Sequence, residues 1–181
     1  IAQSPVNSSV IWTGADDGPI HVTRDRGVSW TRVDTNMPPG PHHEGFVKIE
    51  ASRTGGGAAY AAIDLHYHDD PRPYLFKTTD YGATWTTITN DLPAWGSTYV
   101  VREDPRNARV LYAGTESGLF VSIDGGSHWI RWRGNLPSTA VRSLVVHPRD
   151  RDLVVGTFGR AIWIVDVSVI EQLETALAQP A

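Results

Sequence analysis

An eight-residue pattern, Ser/Thr-x-Asp-x-Gly-x-x-Trp, occurs three times in the chain, at residues 23–30, 78–85 and 122–129. The copies start 55 and 44 residues apart, and the longer interval holds extra residues around 65–72. A period of forty-odd residues is that of a four-stranded β-propeller blade. The pattern therefore predicts consecutive blades, and its fixed positions are Asp25, Gly27, Trp30, Asp80, Gly82, Trp85, Asp124, Gly126 and Trp129.

The residue types of the pattern suit a tight hairpin turn followed by a strand. An Asp at the third position can accept hydrogen bonds from backbone N–H groups of the turn, and a Gly two residues later permits a positive φ. The Trp is large enough to fill the gap between adjacent sheets, and the leading Ser or Thr adds a local hydrogen bond. We therefore interpret the three aspartates as structural.

Short runs rich in Val, Ile, Tyr and Trp surround each copy, and Gly, Asp and Pro separate them. They predict an all-β fold, a partial β-propeller of about four four-stranded antiparallel blades over residues 1–167. Residues 4–7 match residues 104–107, so the first blade is expected to be truncated. The last blade lacks the repeated pattern and an evident fourth strand, so its outer edge has to be completed from elsewhere.

A short helix and linker are predicted for residues 168–181. Ser168 and Glu171 have the spacing of a helix capping box, and Ile170, Leu173 and Leu177 fall on one helical face. The final residues, 178–181, have the composition of a frayed end or linker.

Composition excludes several classes of partner and site. The formal net charge is -4 and the basic residues are scattered, so no nucleic-acid-binding surface is expected. No apolar run approaches the length of a membrane-spanning helix. The absence of cysteine removes disulfides and thiolate metal sites but does not indicate a compartment.

The repeat resembles the Asp-boxes of BNR-repeat propellers, which occur in sialidases, tandem-propeller endoglucanases and the sortilin (VPS10) domain. The likeness is closer to large bacterial sortilin-like or BNR-repeat proteins, usually labelled glycosyl hydrolases. It covers nearly the whole chain and implies that residues 152–160 belong to the closing blade and that the protein is exported from a bacterial cell. It is carried by Arg72–Gly82, Val101–Pro105, Leu111–Glu116, Gly118–Ser122, Asp152–Arg160 and Trp163.

One concentration of polar side chains is predicted on the face where propellers usually bind ligands. Loops between blades and turns joining second to third strands emerge together on that face, whereas the repeated aspartates emerge on the opposite side. Residues 37–45 and 64–70 are therefore expected to lie close together. They contribute His42, His43, Asp64, His66, His68, Asp69 and Asp70.

These side chains allow two interpretations. Imidazole and carboxylate groups suit Zn or Mn, so a divalent metal at His66 and His68 is one hypothesis. The other, which His-x-His on a loop favours, is a solvated loop whose polar groups satisfy the turn backbone.

Further candidates on this face come from the other blades. Glu116 could pair with a carboxylate of the Asp64 loop as in a glycosidase, Arg160 could clamp a carboxylate or pair with a neighbouring acid, and Trp95 could stack on a sugar or pack on the next blade. Asp16 and Asp17 lie in the first blade's turn.

The sequence favours binding over catalysis. It contains no Gly-rich phosphate loop, no Gly-x-Ser-x-Gly elbow, no His-Glu-x-x-His and no spacing that assembles a sialidase set. The leading hypothesis is a propeller scaffold that binds a protein, peptide or glycan, with a partner chain or further blades covering its open faces. The alternatives are a glycoside hydrolase whose cleft is shared with other blades, and a metal-dependent site.

Overall fold

The structure, a computed structural model, describes residues 1–170, and of Pro41 and His42 it describes only the backbone. Fifteen strands form four antiparallel sheets within this part of the chain. The first three sheets have four strands each and the fourth has three. The strands are β1 (Ala2–Gln3), β2 (Ile11–Gly14), β3 (Ile20–Thr23), β4 (Thr31–Arg32), β5 (Phe46–Ala51), β6 (Ala59–Leu65), β7 (Asp70–Thr78), β8 (Thr86–Thr87), β9 (Thr98–Glu103), β10 (Leu111–Thr115), β11 (Gly118–Ser122), β12 (Ile130–Arg131), β13 (Val141–Val146), β14 (Asp152–Thr157) and β15 (Ile162–Asp166).

Helical structure is confined to short segments between strands and to the end of the described chain. Three 3-10 helices cover Asp34–Asn36, Pro41–Glu44 and His66–His68. A helical turn covers residues 168–170, where Ile170 is buried. The rest of the helix and linker predicted for residues 168–181 lies outside the described residues.

Every sheet is a meander in which strands pair in chain order. The first strand of each sheet contacts the first strand of the next, as β1 with β5, β5 with β9, and β9 with β13. Three apolar clusters fill the spaces between successive sheets. The chain is thus a partial β-propeller, with its sheets arranged around a common axis and the first strands innermost.

The repeated pattern forms the turn between the third and fourth strands of the first three sheets; we call these the aspartate turns. In the second, Asp80 Oδ1 accepts hydrogen bonds from the Thr84 amide at 2.9 Å and the Thr78 hydroxyl at 2.8 Å. Thr78 Oγ1 in turn accepts the Gly82 amide at 3.0 Å. The other two turns repeat all three bonds.

Gly82 has no substitute in this geometry. Its φ is +80°, which disfavours residues with a side chain. A β-carbon placed on Gly82 would also lie 2.7 Å from Cβ of Val33, in the segment that follows the preceding sheet. The turn of one sheet therefore packs directly on its neighbour.

Two of the repeated tryptophans bridge successive sheets. Trp85 Nε1–H donates to the Val33 carbonyl oxygen at 3.1 Å, and Trp129 Nε1–H donates to the Ile88 carbonyl oxygen at 2.7 Å. Their exposed fractions are only 6% and 5%. Each indole thus fills an intersheet gap and satisfies its own N–H there.

Trp30 departs from the sequence-based expectation. It is 42% exposed, so it does not fill an intersheet gap within the described chain. The physical reason is its position in the first sheet, which has no preceding sheet among residues 1–170. The fourth sheet is exposed in the opposite direction, through Ile162 and Ile164 on β15.

The second and third sheets share a buried polar junction beneath their apolar contacts. Glu103 on β9 accepts hydrogen bonds from the Tyr60 hydroxyl at 2.8 Å and from the Arg53 amide at 2.8 Å. Burial, followed by the charge of Glu103, raises the pKa of Tyr60. The phenol therefore remains a donor to this carboxylate.

Replacing a buried intersheet tryptophan should cost far more stability than replacing the exposed one. We expect Trp129→Ala to lower the free energy of unfolding by about 3–5 kcal/mol, because it leaves a cavity and an unpaired carbonyl. The matched variant Trp30→Ala should cost about 1 kcal/mol. Urea denaturation followed by circular dichroism measures both, and equal losses would contradict this account of the junctions.

The aspartate turns should also make stability depend on acid pH. Hydrogen bonds from the Thr84 hydroxyl and amide lower the pKa of Asp80, and those from Ser29 lower the pKa of Asp25 to about 2. An unfolded Asp titrates near about 3.9. The stabilisation is therefore complete above that pH and is lost as the pH falls through the folded value.

Asp80→Asn should accordingly lower the melting temperature at pH 7, with a difference from wild type that shrinks between about pH 4 and pH 2. Asp16→Asn, a change at an exposed aspartate outside the aspartate turns, is the control. Its melting temperature should differ little from that of the wild type at neutral and at acid pH. Differential scanning calorimetry tests this, and a pH-independent deficit in Asp80→Asn would refute the linkage.

Candidate functional site

One face of the propeller is built from turns between second and third strands that are hydrogen-bonded to a first strand or to the loop before it. The Val47 amide donates to the Ala15 carbonyl oxygen at 3.0 Å, and the Glu116 amide donates to that of Ser97 at 2.9 Å. The Phe158 amide likewise donates to the Ala140 carbonyl oxygen at 2.8 Å. These bonds fix the turns between second and third strands, so we call this side the loop face.

A cavity of about 240 Å³ opens on the loop face where the second, third and fourth sheets meet. We call it the loop-face pocket. It combines two basic side chains, a carboxylate, an imidazole and three aromatic rings. Its lining residues are Phe46, Lys48, Asp64, His66, Tyr67, Tyr99 and Arg142.

Asp64 is the last residue but one of β6, a strand of buried residues, and is itself buried, so its oxygens need partners. One oxygen accepts the His66 backbone amide at 3.1 Å. The other lies 2.6 Å from Nδ1 of the His66 ring. Asp64 thereby fixes the imidazole at the rim of the pocket.

Arg142 occupies the centre of the site. Its guanidinium carbon lies 3.6 Å from the centroid of the Tyr99 ring and 5.5 Å from that of Phe158. NH1 lies 3.9 Å from Asp64 Oδ2, and NH2 lies 4.0 Å from Glu116 Oε2. Both separations exceed hydrogen-bond length, so the cation is paired with two carboxylates without a direct hydrogen bond to either.

Tyr99 connects this cation to Glu116. The Tyr99 hydroxyl donates a short hydrogen bond to Glu116 Oε2. Burial raises the pKa of Tyr99, and the bond to Glu116 raises it further. The phenol therefore keeps its proton at neutral pH and orients the otherwise exposed carboxylate of Glu116.

Lys48 supports the floor of the pocket from β5. Its Nζ donates to the Arg142 carbonyl oxygen at 2.8 Å. Desolvation, followed by the charges of Arg102 and Arg142, lowers the pKa of Lys48. The bond ties the second sheet to the inner strand of the fourth.

Two aromatic rings stand at the mouth of the pocket. Tyr67 is 74% exposed and Phe46 is 47% exposed, with ring centroids 5.8 Å apart. The His66 ring lies 3.8 Å from that of Tyr67. This apolar surface is adjacent to the charged groups of the pocket.

Of the residues singled out in the sequence, Asp64 and His66 line the pocket, and Glu116 lies beside it, 4.0 Å from Arg142. Asp70 instead pairs with Arg72 and accepts the Tyr74 hydroxyl at 2.8 Å. The other candidates do not line the pocket and lie on neighbouring surfaces. The side chains of Asp16, Asp17, His68, Asp69, Trp95 and Arg160 are exposed, His43 lies 4.0 Å from Asp34, and the His42 side chain lies outside the described part of the structure.

The metal hypothesis receives no geometric support at the loop face. Among the residues that the structure describes, no three His, Asp or Glu side chains are grouped to hold an ion. The His66 ring nitrogen nearest the carboxylates is already paired with Asp64. Metal binding at His66 and His68 stays a prediction.

Sequence reasoning missed Arg142, Tyr99, Lys48 and the Phe46–Tyr67 pair. Phe46 and Lys48 lie on β5, Tyr99 lies on β9 and Arg142 lies on β13, which are the first strands of three different sheets. Tyr67 lies outside the strands. Alternation within those strands identifies side chains that face away from the sheet core, but which of them meet depends on the curvature of the ring. The sequence pattern thus indicates which way a side chain faces within its own strand, but it does not indicate which side chains of different strands meet.

Several proteins named xyloglucanases are similar in sequence to this chain. A xyloglucanase from Paenibacillus sp is 29% identical over 210 aligned residues, covering 92% of this chain and 20% of that protein. A probable oligoxyloglucan-reducing end-specific xyloglucanase from Neosartorya fischeri is 27% identical over 145 residues, covering 77% of this chain and 17% of that protein. The chain thus spans about a fifth or less of these relatives. No protein-family model matches it.

Solved structures show the same fold at low sequence identity. The GH74 xyloglucanase from Xanthomonas campestris aligns with a TM-score of 0.61 and 22% identity, over 87% of this chain and 25% of that one. The β-propeller domain of Cps50 (Swd1) from Myceliophteria thermophila gives 0.62 and 15%, over 90% and 49%. YCF48 bound to D1 peptide gives 0.55 and 16%, over 91% and 56%.

The comparisons agree with the geometry on the architecture. Neighbours that include a β-propeller domain match most of the chain, in keeping with its four radial sheets. No helix within residues 1–170 is long and apolar enough to cross a membrane.

Proposed function

We propose that the loop-face pocket binds a neutral glycan chain, as a non-catalytic part of a longer propeller protein. The observation that carries this is the position of Arg142, which stands 3.9 and 4.0 Å from the carboxylates of Asp64 and Glu116. A sugar hydroxyl both accepts and donates hydrogen bonds. Placed beside either N···O pair, within hydrogen-bond distance of both atoms, it can accept from the guanidinium and donate to the carboxylate at the same time.

The alternation of charge in the pocket favours a neutral ligand over an anionic one. An acidic group placed against Arg142 would lie beside the two carboxylates already there, and like charges repel at such distances. The exposed rings of Tyr67 and Phe46 supply an apolar platform of the kind on which the faces of sugar rings pack. The names of the relatives, xyloglucanases, are consistent with a glucan.

We further infer that the aspartate turns are Asp-boxes of the BNR-repeat kind. Their three repeated hydrogen bonds and buried tryptophans support this inference. The relatives' names favour the glucanase branch of the resemblance over the sortilin branch. Export from a bacterial cell and the division into blades at 1–167 and a tail at 168–181 belong to the same proposal.

A second candidate function is glycoside hydrolysis. It is favoured by two carboxylates, Asp64 in the pocket and Glu116 beside it, that flank the Arg142 guanidinium, and by the activity named for the relatives. Hydrolysis requires one group that donates a proton and another that assists attack at the anomeric carbon. In the structure both carboxylates already accept hydrogen bonds, from His66 and Tyr99. That arrangement suits recognition.

Isothermal titration of the chain with a xyloglucan heptasaccharide and with cellohexaose tests the glycan proposal. We expect saturable binding that weakens about tenfold or more in Arg142→Met, because charge-assisted hydrogen bonds contribute about 1.5–3 kcal/mol. Tyr67→Ala should weaken it as well. The matched control, Arg160→Met, removes an exposed arginine of the same face outside the pocket and should leave the affinity unchanged. Equal affinities for Arg142→Met and wild type would overturn the proposal.

Reducing-end assays on xyloglucan and mixed-linkage glucan separate binding from hydrolysis. We expect no release of reducing sugars by the wild-type chain under conditions where binding is saturated. Release that disappears in both Asp64→Asn and Glu116→Gln, but persists in Asp16→Asn, would establish the hydrolase and sink the non-catalytic proposal.

A further inference from the structure

The residue that follows the aspartate differs between the second and third aspartate turns. It is Tyr81 in one turn and Gly125 in the other, and both have a positive φ, +61° and +76°. The Tyr81 amide donates to the Gly57 carbonyl oxygen at 2.8 Å, and the Gly125 amide donates to that of Arg109 at 2.7 Å. The two residues therefore occupy the same place at two successive junctions between sheets.

The Tyr81 ring fills its junction. It packs on the apolar cluster of the first two sheets, and the guanidinium carbon of Arg24 lies 4.2 Å from the ring centroid. A β-carbon placed on Gly57 would lie 2.7 Å from Cε2 of Tyr81, so the ring lies directly against that glycine. The junction between the first and second sheets thus holds an aromatic ring beneath a cation.

The corresponding space at the next junction is open. A cavity of about 440 Å³ lies between the outer strands of the second sheet and the third aspartate turn, and Gly125 lines it. Among the described residues, a β-carbon placed on Gly125 would meet only Lys77 Nζ, at 3.6 Å, besides its own chain neighbours. We call this space the turn-side cavity; it shares no lining residue with the loop-face pocket.

The turn-side cavity carries an excess of positive charge. Lys77 and Arg109 line it, and the described lining residues include one carboxylate, that of Asp124. Asp124 is already paired with the amide and the ring of His128. Lys77 makes no hydrogen bond or ion pair within the described part of the chain, and its Nζ lies 5.5 Å from the centroid of the Tyr60 ring. The cavity therefore suits a ligand that carries a negative charge.

We propose that the turn-side cavity binds a small aromatic acid, a single aromatic ring that bears a carboxylate. The ring takes the place that Tyr81 fills at the preceding junction, and Lys77 Nζ pairs with the carboxylate. Arg109 supplies the guanidinium that Arg24 supplies to Tyr81. The volume lies in the lower part of the range for small-molecule sites, about 300–1,000 Å³, which suits one ring. This site is separate from the proposed glycan site and does not depend on it.

4-Hydroxyphenylacetate tests the proposal, because its ring and methylene group reproduce a tyrosine side chain and its carboxylate replaces the backbone. Titrated into the full 181-residue chain labelled with ¹⁵N, it should bind saturably with a Kd of about 1 mM or lower. The affected amide signals should be those of residues 77–79 and 124–127. 4-Methylphenol, which lacks the carboxylate, and cyclohexylacetate, which lacks the aromatic ring, should each bind about fivefold or more weakly.

Two protein variants make the test specific. Gly125→Tyr should fill the cavity and abolish binding, and the backbone accommodates it because Tyr81 has a φ of +61° at the same turn position. The matched control is Arg26→Tyr, at that position of the first aspartate turn, where φ is +63° and the side chain is exposed. It should leave the affinity unchanged. Lys77→Met, which needs no room for a larger side chain, should weaken 4-hydroxyphenylacetate about fivefold or more and leave 4-methylphenol unaffected.

Four results would count against the proposal. These are no saturable binding, signal changes confined to the loop-face pocket, equal affinities of wild type and Lys77→Met, and binding by a folded Gly125→Tyr that equals wild type. Equal affinities for 4-hydroxyphenylacetate and 4-methylphenol would likewise exclude it, because the cations would then contribute nothing.

Discussion

The hydrogen bond from a buried indole to a carbonyl of the preceding sheet is the contact on which this structure depends. It requires the tryptophan to project from a fixed position, and the aspartate turn supplies that position through bonds from Asp80 or Asp124 to the amide four residues on. The glycine of the same turn lies against Val33 or Ile88, so turn and indole are placed together. Sheets joined in this way are held in the same relative position and orientation at each junction.

The loop-face pocket depends on this fixed placement of one sheet against the next. Its groups come from the second, third and fourth sheets, and no single sheet contributes more than part of it. Lys48 and Arg102 reinforce the arrangement by donating to carbonyl oxygens of Arg142 and Leu144 on the inner strand of the fourth sheet. A rigid radial scaffold thus holds Arg142 at a defined distance from two carboxylates, as the proposed recognition of sugar hydroxyls requires.

Much of the fold was predictable from the sequence because the residues that form each turn lie within one short segment. Each eight-residue pattern contains all the groups that close its own turn, so Asp25, Asp80 and Asp124 make the same bonds in three different contexts. Trp30 shows that the local pattern does not determine whether its tryptophan is buried. Its turn forms like the others, yet its indole is exposed, because burial needs a neighbouring sheet that the pattern itself does not contain.

The sequence by itself determined the strand order within sheets, the chemistry of the turns and the side of the ring on which each loop emerges. It also brought Asp64, His66 and Glu116 forward as candidates. Only the tertiary structure decided that Arg142 and Tyr99 stand between them, and that Asp70 turns away to Arg72. The reason is that contacts between first strands of different sheets depend on how each sheet packs on the last, which no single stretch of sequence encodes.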